Sequence, residues 1–269
     1  REPPPFDRDL LWVLGDWRLN ADASIRGGFG NFMDVSHAGR IGNTVTINGQ
    51  VPDAFRVRAG ERIRLRLVAT ANARIFALEF RGHSPWIVAL DGQPIEPHQP
   101  EGGVVVLAPA QRADLVIDMT GAPGSRHEVR DIFYRGREYR LVSLDYSEEP
   151  PLRSKSLGAP RPLPRNPLAD PDLARAERHD IVFTGGMMGG GMMGEGMMGG
   201  GMMGMMRGMA WAVNGASHGC GEGAASFDPL LILRKNRSYV LRLVNDTAWH
   251  HPIHLHGHSV RVITRGGSP

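Results

Sequence analysis

Apolar residues in this chain come in short runs that alternate with polar ones, and no long stretch keeps a 3.6-residue apolar stripe. The runs are rich in β-branched residues: Thr44–Ile47, then residues 62–68, 103–107, 115–119 and 239–244. A period of two sends successive side chains to opposite faces of a strand, and Gly and Pro recur between the runs as turn formers. The pattern predicts an all-β chain folded as a sandwich or Greek-key barrel. Residues 150–171 are rich in proline and read as a semi-extended linker between two β units. A short helical turn is expected over residues 173–180.

The chain also repeats itself. Arg64-Leu65-Arg66-Leu67-Val68 aligns with Val240-Leu241-Arg242-Leu243-Val244 at an offset of 176. After a one-residue gap, Ala77-Leu78-Glu79-Phe80-Arg81-Gly82-His83-Ser84 aligns with Pro252-Ile253-His254-Leu255-His256-Gly257-His258-Ser259. Upstream, Ile47-Asn48-Gly49 matches Val213-Asn214-Gly215. Two copies of one β domain follow: a first domain over residues 1–150, a linker over 151–178, and a partial second domain over 179–269.

Composition narrows the classes. The chain's 269 residues, 41% hydrophobic and 22% charged, are those of a soluble globular protein long enough for two cores. A formal charge of +3 without a Lys/Arg block argues against nucleic acid, and no apolar run is long enough to span a membrane. One cysteine, Cys220, allows no internal disulfide and sits in a Gly-rich loop. The first residue is Arg, with no signal-peptide pattern, and both ends read as cut, so export is left open.

Five of the eleven histidines fall between His250 and His258. As a strand, this run would present His254 and His256 on one face and bury Ile253 and Leu255 on the other. Imidazole suits copper, zinc, iron and nickel, so the run reads as a transition-metal site. The repeat separates ligands from bystanders. In the first copy Glu79, Arg81 and Phe76 stand where the second has His254, His256 and His251, whereas Gly-His-Ser is common to both. His251, His254 and His256 are therefore the candidate ligands, and His250 and His258 are not. His37, His98, His127 and His179 are expected to face solvent, and Trp86, Trp211 and Trp249 to be core or rim aromatics. Asp246 reads as a turn residue or a group orienting a ligand imidazole.

Residues 187–209 carry Met187, Met188, Met192, Met193, Met197, Met198, Met202, Met203, Met205, Met206 and Met209, spaced by glycine. Glycine at this density disfavours a helix, and the reading is a low-complexity insert without a packed fold. Thioethers are soft ligands that suit Cu(I), and they need no deprotonation. The insert is expected to bind Cu(I) or Ag(I).

The run His251-Pro252-Ile253-His254-Leu255-His256-Gly257-His258 resembles the HPxHLHGH motif of the multicopper oxidases. Leu243-Val244-Asn245-Asp246-Thr247 and Gly15-Asp16-Trp17-Arg18 are similar to that family as well. The resemblance implies tandem cupredoxin-like domains: the family's middle domain, without copper ligands, and the first part of its last one. It makes His251 a type 1 copper ligand, His254 a type 2 ligand and His256 a ligand of the binuclear type 3 pair. Substrate electrons would enter at type 1 copper, with dioxygen reduced to water at the other centres. The family's N-terminal His-x-His pairs and C-terminal HCHxxxH have no counterpart here, so the chain alone is expected to be inactive. The Met-rich insert resembles that of the bacterial cuprous-oxidase, copper-tolerance branch, which implies Cu(I) as substrate, phenols as a side activity, and a periplasmic or otherwise exported location. The alternatives are a laccase acting on phenols, a metal-free cupredoxin-fold scaffold, and a periplasmic copper-binding protein.

Overall fold

Strand β4 (Arg62–Ala69) turns the alternation directly into structure: Ile63, Leu65, Leu67 and Ala69 are buried, while Arg64 and Arg66 point away from the core. Its neighbours are β1 (Arg8–Trp17), parallel, and β9 (Arg112–Asp118), antiparallel. With β2 (Thr44–Ile47), β6 (Trp86–Leu90) and β7 (Gln93–His98) they form a six-stranded sheet in the order β2-β1-β4-β9-β6-β7. A five-stranded sheet, β3-β11-β10-β5-β8, is built from β3 (Ala54–Val57), β5 (Phe76–Phe80), β8 (Val104–Leu107), β10 (Arg126–Asp131) and β11 (Tyr139–Tyr146). The core lies between the two sheets, where Leu14, Leu67 and Leu115 meet Phe76, Leu78, Leu107 and Val142. This computed structural model describes residues 6–187, 211–216 and 229–266.

A third sheet, β13-β12-β14, comprises β12 (Glu177–Thr184), β13 (Ala212–Val213) and β14 (Tyr239–Asn245). It repeats the β2-β1-β4 corner of the first unit. β12 runs antiparallel to β13 and parallel to β14, as β1 does to β2 and β4. The Asn-Gly turns agree in detail. Asn48 and Asn214 take φ of 53° and 50°, and the glycines after them 79° and 77°, the left-handed pair that a tight two-residue hairpin needs. Asn48 Oδ1 accepts from Val13 N at 2.8 Å and its Nδ2 donates to Leu11 O at 2.9 Å. Asn214 makes the same two bonds, to Val182 N at 2.7 Å and Asp180 O at 3.1 Å.

The helical turn expected over 173–180 is not formed. Asp172 Oδ1 accepts from the backbone of Ala174 and Arg175, which closes a turn, and the chain enters β12 at Glu177 because β14 offers it a full parallel ladder. A short helix, α1 (Phe32–Ser36), lies instead in the excursion between β1 and β2 and is capped by Asn31. It reaches the second unit.

His127 does not face solvent freely: it packs edge-on against His83 and Tyr146, with ring centroids 5.1 and 5.5 Å away. His83 Nδ1 lies 2.9 Å from Arg81 O, so that nitrogen carries the proton, and Tyr146 Oη donates to Nε2. Burial pushes the Tyr146 hydroxyl up to about 12. Burial also holds His83 below its ordinary value of 6.5; the Arg81 carbonyl opposes this and His127 adds to it. A histidine with a depressed native pKa contributes stability that is complete above the unfolded value and lost as pH falls through the native one. The urea midpoint should thus decline as pH drops below about 6.5, and His83→Phe should flatten that slope. An unchanged slope in the variant would show that His83 does not carry it.

Candidate metal centre

β14 ends at Asn245, and the next three residues form a polar turn that supports His251. Asp246 N donates to Phe183 O at 2.9 Å, and Asn245 Nδ2 donates to Trp249 O at 2.7 Å. Thr247 Oγ1 lies 2.6 Å from Asn245 Oδ1 and 2.9 Å from His251 Nε2. The His251 ring stacks on Phe183, 5.7 Å away and tilted by 13°, and meets Trp211 edge-on at 4.9 Å. Burial, followed by the neighbouring His250, lowers its pKa from the ordinary value. That favours the neutral imidazole, the form that binds metals.

Helix α1 holds this wall from the side of the first unit. The carbonyls of a helix's last turn lack intrahelical partners, and two of them are used here. Ser36 O accepts from Met187 N at 2.9 Å, and Val35 O accepts from Trp211 Nε1 at 2.6 Å. Trp249 Nε1 donates to Met187 O at 2.8 Å. His37, expected to face solvent, packs against Trp249 at 5.1 Å, and His250 sits 5.3 Å from Phe133. Gly186, at φ 74°, lies so close to Trp211 that a Cβ would fall 2.2 Å from the indole, so this approach requires glycine. His98 is exposed, and His179 is half-buried over Tyr239.

His254 and His256 lie together and exposed, their ring centroids 4.6 Å apart and their planes crossed at 84°. The strand expected for them is absent: residues 251–255 have no sheet partner, Ile253 is 47% exposed, and Leu255 is half-buried rather than in a core. The first copy shows the reason. Phe76–Phe80 is a strand because β10 and β8 flank it, which buries Leu78 and Phe80. No such neighbours flank 252–256 among the described residues, and an extended segment without ladder partners leaves its backbone to solvent. In that copy Arg81 pairs with Glu79 at 2.9 Å, so charge pairing occupies the face that carries imidazoles in the second.

Among the described residues no group of three His, Cys, Asp or Glu side chains is arranged to hold a metal ion. The structure thus brings His254 and His256 together and keeps His251 in a setting of its own. The donor chemistry fits copper: two adjacent exposed imidazoles, and a third packed in an aromatic wall. Met188, Met192, Met193, Met197, Met198, Met202, Met203, Met205, Met206, Met209 and Cys220 lie outside the described residues; Met187 is the described methionine of the insert. Sequence reading missed Thr247 and Asn245, and the signal was available, since their counterparts in the first copy are Ala71 and Ala69.

Residues 8–127 and 202–269 each match a sequence model of the multicopper oxidase family. The multicopper oxidase MmcO of Mycobacterium tuberculosis is 25% identical over 314 aligned residues, covering 100% of this chain and 54% of that protein. Laccase-8 of Oryza sativa is 27% identical over 143 residues, 49% of this chain and 24% of that one. The crystal structure of a multi-copper oxidase from Pseudomonas thermotolerans superposes with a TM-score of 0.69 at 29% identity, covering 96% of this chain and 55% of that one. The chain therefore spans about half the length of the relatives that it matches from end to end.

Proposed function

Since the chain belongs to the multicopper oxidase family, whose cofactor is copper, we propose that it is part of an exported oxidase serving copper tolerance. The reaction is one-electron oxidation of Cu(I) coupled to reduction of dioxygen to water. The observation that carries this reading is the separation of the imidazoles into a crossed pair, His254 with His256, and a lone His251 behind an aromatic wall. Bound copper supplies one-electron chemistry and dioxygen reduction. His251 would hold the type 1 ion, His254 the type 2 ion and His256 one of the type 3 pair; the remaining donors lie elsewhere in the protein.

This chain's own residues do the rest. Phe183 and Trp211 cover two sides of the His251 ring and fix its plane. Met187, whose backbone is tied to α1 and to Trp249, begins the methionine-glycine stretch. The soft thioethers of that stretch favour Cu(I) as substrate over phenols. The first unit, whose equivalent face carries Glu79 and Arg81, serves as support for the second. Among the described residues no helix is long and apolar enough to cross a membrane.

Deletion of residues 188–210 from the copper-loaded protein tests the substrate. Cuprous oxidation should fall at least about tenfold, the equivalent of ~1.4 kcal/mol in transition-state binding, while phenol oxidation stays the same or rises. Full retention of cuprous oxidation would show that the insert does not set the substrate and would overturn its role in Cu(I) oxidation.

A further inference from the structure

We propose that Thr247, held by Asn245, is a positioning residue that fixes the proton of His251 on Nε2 and leaves Nδ1 as the metal-facing nitrogen. The inference rests on the copper reading given above for His251 and adds to it the side chains that set its tautomer.

The argument is an accounting of protons. Thr247 Oγ1 has four polar neighbours: Asn245 Oδ1 at 2.6 Å, His251 Nε2 at 2.9 Å, Trp249 O at 3.1 Å and Trp249 N at 3.2 Å. A hydroxyl has one proton to give and two lone pairs to receive with. Two oxygens 2.6 Å apart need a proton between them. The Asn245 amide cannot supply it by turning over, because its Nδ2 already donates to Trp249 O at 2.7 Å, and the flipped group would set two acceptors face to face there. The hydroxyl proton therefore goes to Asn245 Oδ1. Oγ1 is then an acceptor toward both Trp249 N–H and His251, so Nε2 is the protonated nitrogen and Nδ1 carries the lone pair. Donation to Trp249 O instead would leave the same result for His251.

The internal repeat supplies an independent control. Asp246 N bonds to Phe183 O at 2.9 Å, and Thr70 N bonds to Leu14 O at 2.7 Å, so these two residues are equivalent in the two copies. Asn245 then corresponds to Ala69 and Thr247 to Ala71, while His251 corresponds to Phe76. At these aligned positions the copy without the imidazole carries neither the hydroxyl nor the amide. Ligand imidazoles are commonly oriented by the partner of their second nitrogen, and loss of such a partner costs ~10–100-fold in metal affinity.

The test uses the protein labelled with 15N-histidine, metal-free for the ring nitrogens and then loaded with copper. In the wild type, His251 should show a protonated Nε2 and a bare Nδ1. Thr247→Val, close in shape but without the hydroxyl, should raise the Nδ1-protonated form several-fold and weaken copper retention ~10–100-fold by competition titration. Thr247→Ser should restore both, which a purely steric role would not require, and Asn245→Ala should produce a smaller shift by a separate route. A Thr247→Val protein that keeps the wild-type proton position and copper affinity overturns the proposal. If the tautomer shifts as expected but His251→Ala leaves the copper content unchanged, the copper reading of His251 is what fails, and the hydroxyl's control of the proton stands.

Discussion

Replacing Arg74 with Ala is expected to destabilise the first unit by about 3–5 kcal/mol, the range for removing one partner of a buried ion pair. Arg74 is 8% exposed, and the carboxylates it serves, Asp16 and Asp131, have side chains 2% and 1% exposed. Its Nε donates to Asp16 Oδ2 at 3.2 Å and its Nη2 to Gly42 O at 2.8 Å, and Nη1 lies 3.8 Å from Asp131 Oδ2. Asp131 also accepts from Ala77 N, Phe133 N and Tyr139 Oη, which ties together β5, β10 and β11. Burial, reinforced by the Asp131 charge, pushes the Tyr139 hydroxyl far above its ordinary range, so it remains a donor to that carboxylate. Without the guanidinium, two buried carboxylates lose their only cation among the described residues. At an m-value of ~2 kcal/mol per molar the urea midpoint should fall by about 2 M. Adding Asp131→Asn should recover part of the loss by removing one stranded charge. A shift of less than about 0.5 M in the single variant would mean that water reaches the site and that the network is not a buried one.

His256→Ala or His254→Ala in the copper-loaded protein should cut dioxygen reduction by roughly a hundredfold or more, since loss of a mere outer-shell partner already costs ~10–100-fold. The two rings are neighbours at 4.6 Å, so each substitution should lower copper content as well as turnover. His258→Ala and His250→Ala are the controls. His258 has its counterpart in His83, which is engaged with the Arg81 carbonyl and Tyr146, and His250 packs on Phe133. Both should keep most of the wild-type rate. An oxygen-electrode assay beside copper analysis reads all four variants. Full turnover in His256→Ala would remove that residue from the site.

Much of the fold was legible because strand pattern and turn chemistry are local. Thr44–Ile47 forms as expected, and the runs at 62–68, 103–107 and 239–244 lie within β4, β8 and β14 or differ from them by one residue. The Asn-Gly repeats mark equivalent hairpins because the left-handed conformation and the side-chain bridge are properties of those two residues. Misreadings occurred where the outcome depended on neighbours distant in sequence. Residues 252–256 alternate like a strand yet pair with nothing among the described residues. His127 and His37 are isolated in sequence but packed in space, against His83 and Trp249.

The candidate ligands His251, His254 and His256 stood out in the sequence by density and by contrast with the first copy, as did the methionine-glycine stretch and the all-β class. Those features follow from residue type and spacing, which need no knowledge of contacts. Only the tertiary structure decided that α1 of the first unit braces Trp211 and the entry to the methionine-glycine stretch, and that Phe183 and Trp211 wall in the His251 ring. It alone also placed the Thr247 hydroxyl against His251 Nε2. Each of these rests on a hydrogen bond or ring contact whose geometry exists only after the chain has turned back on itself, so no period along the chain could have carried it.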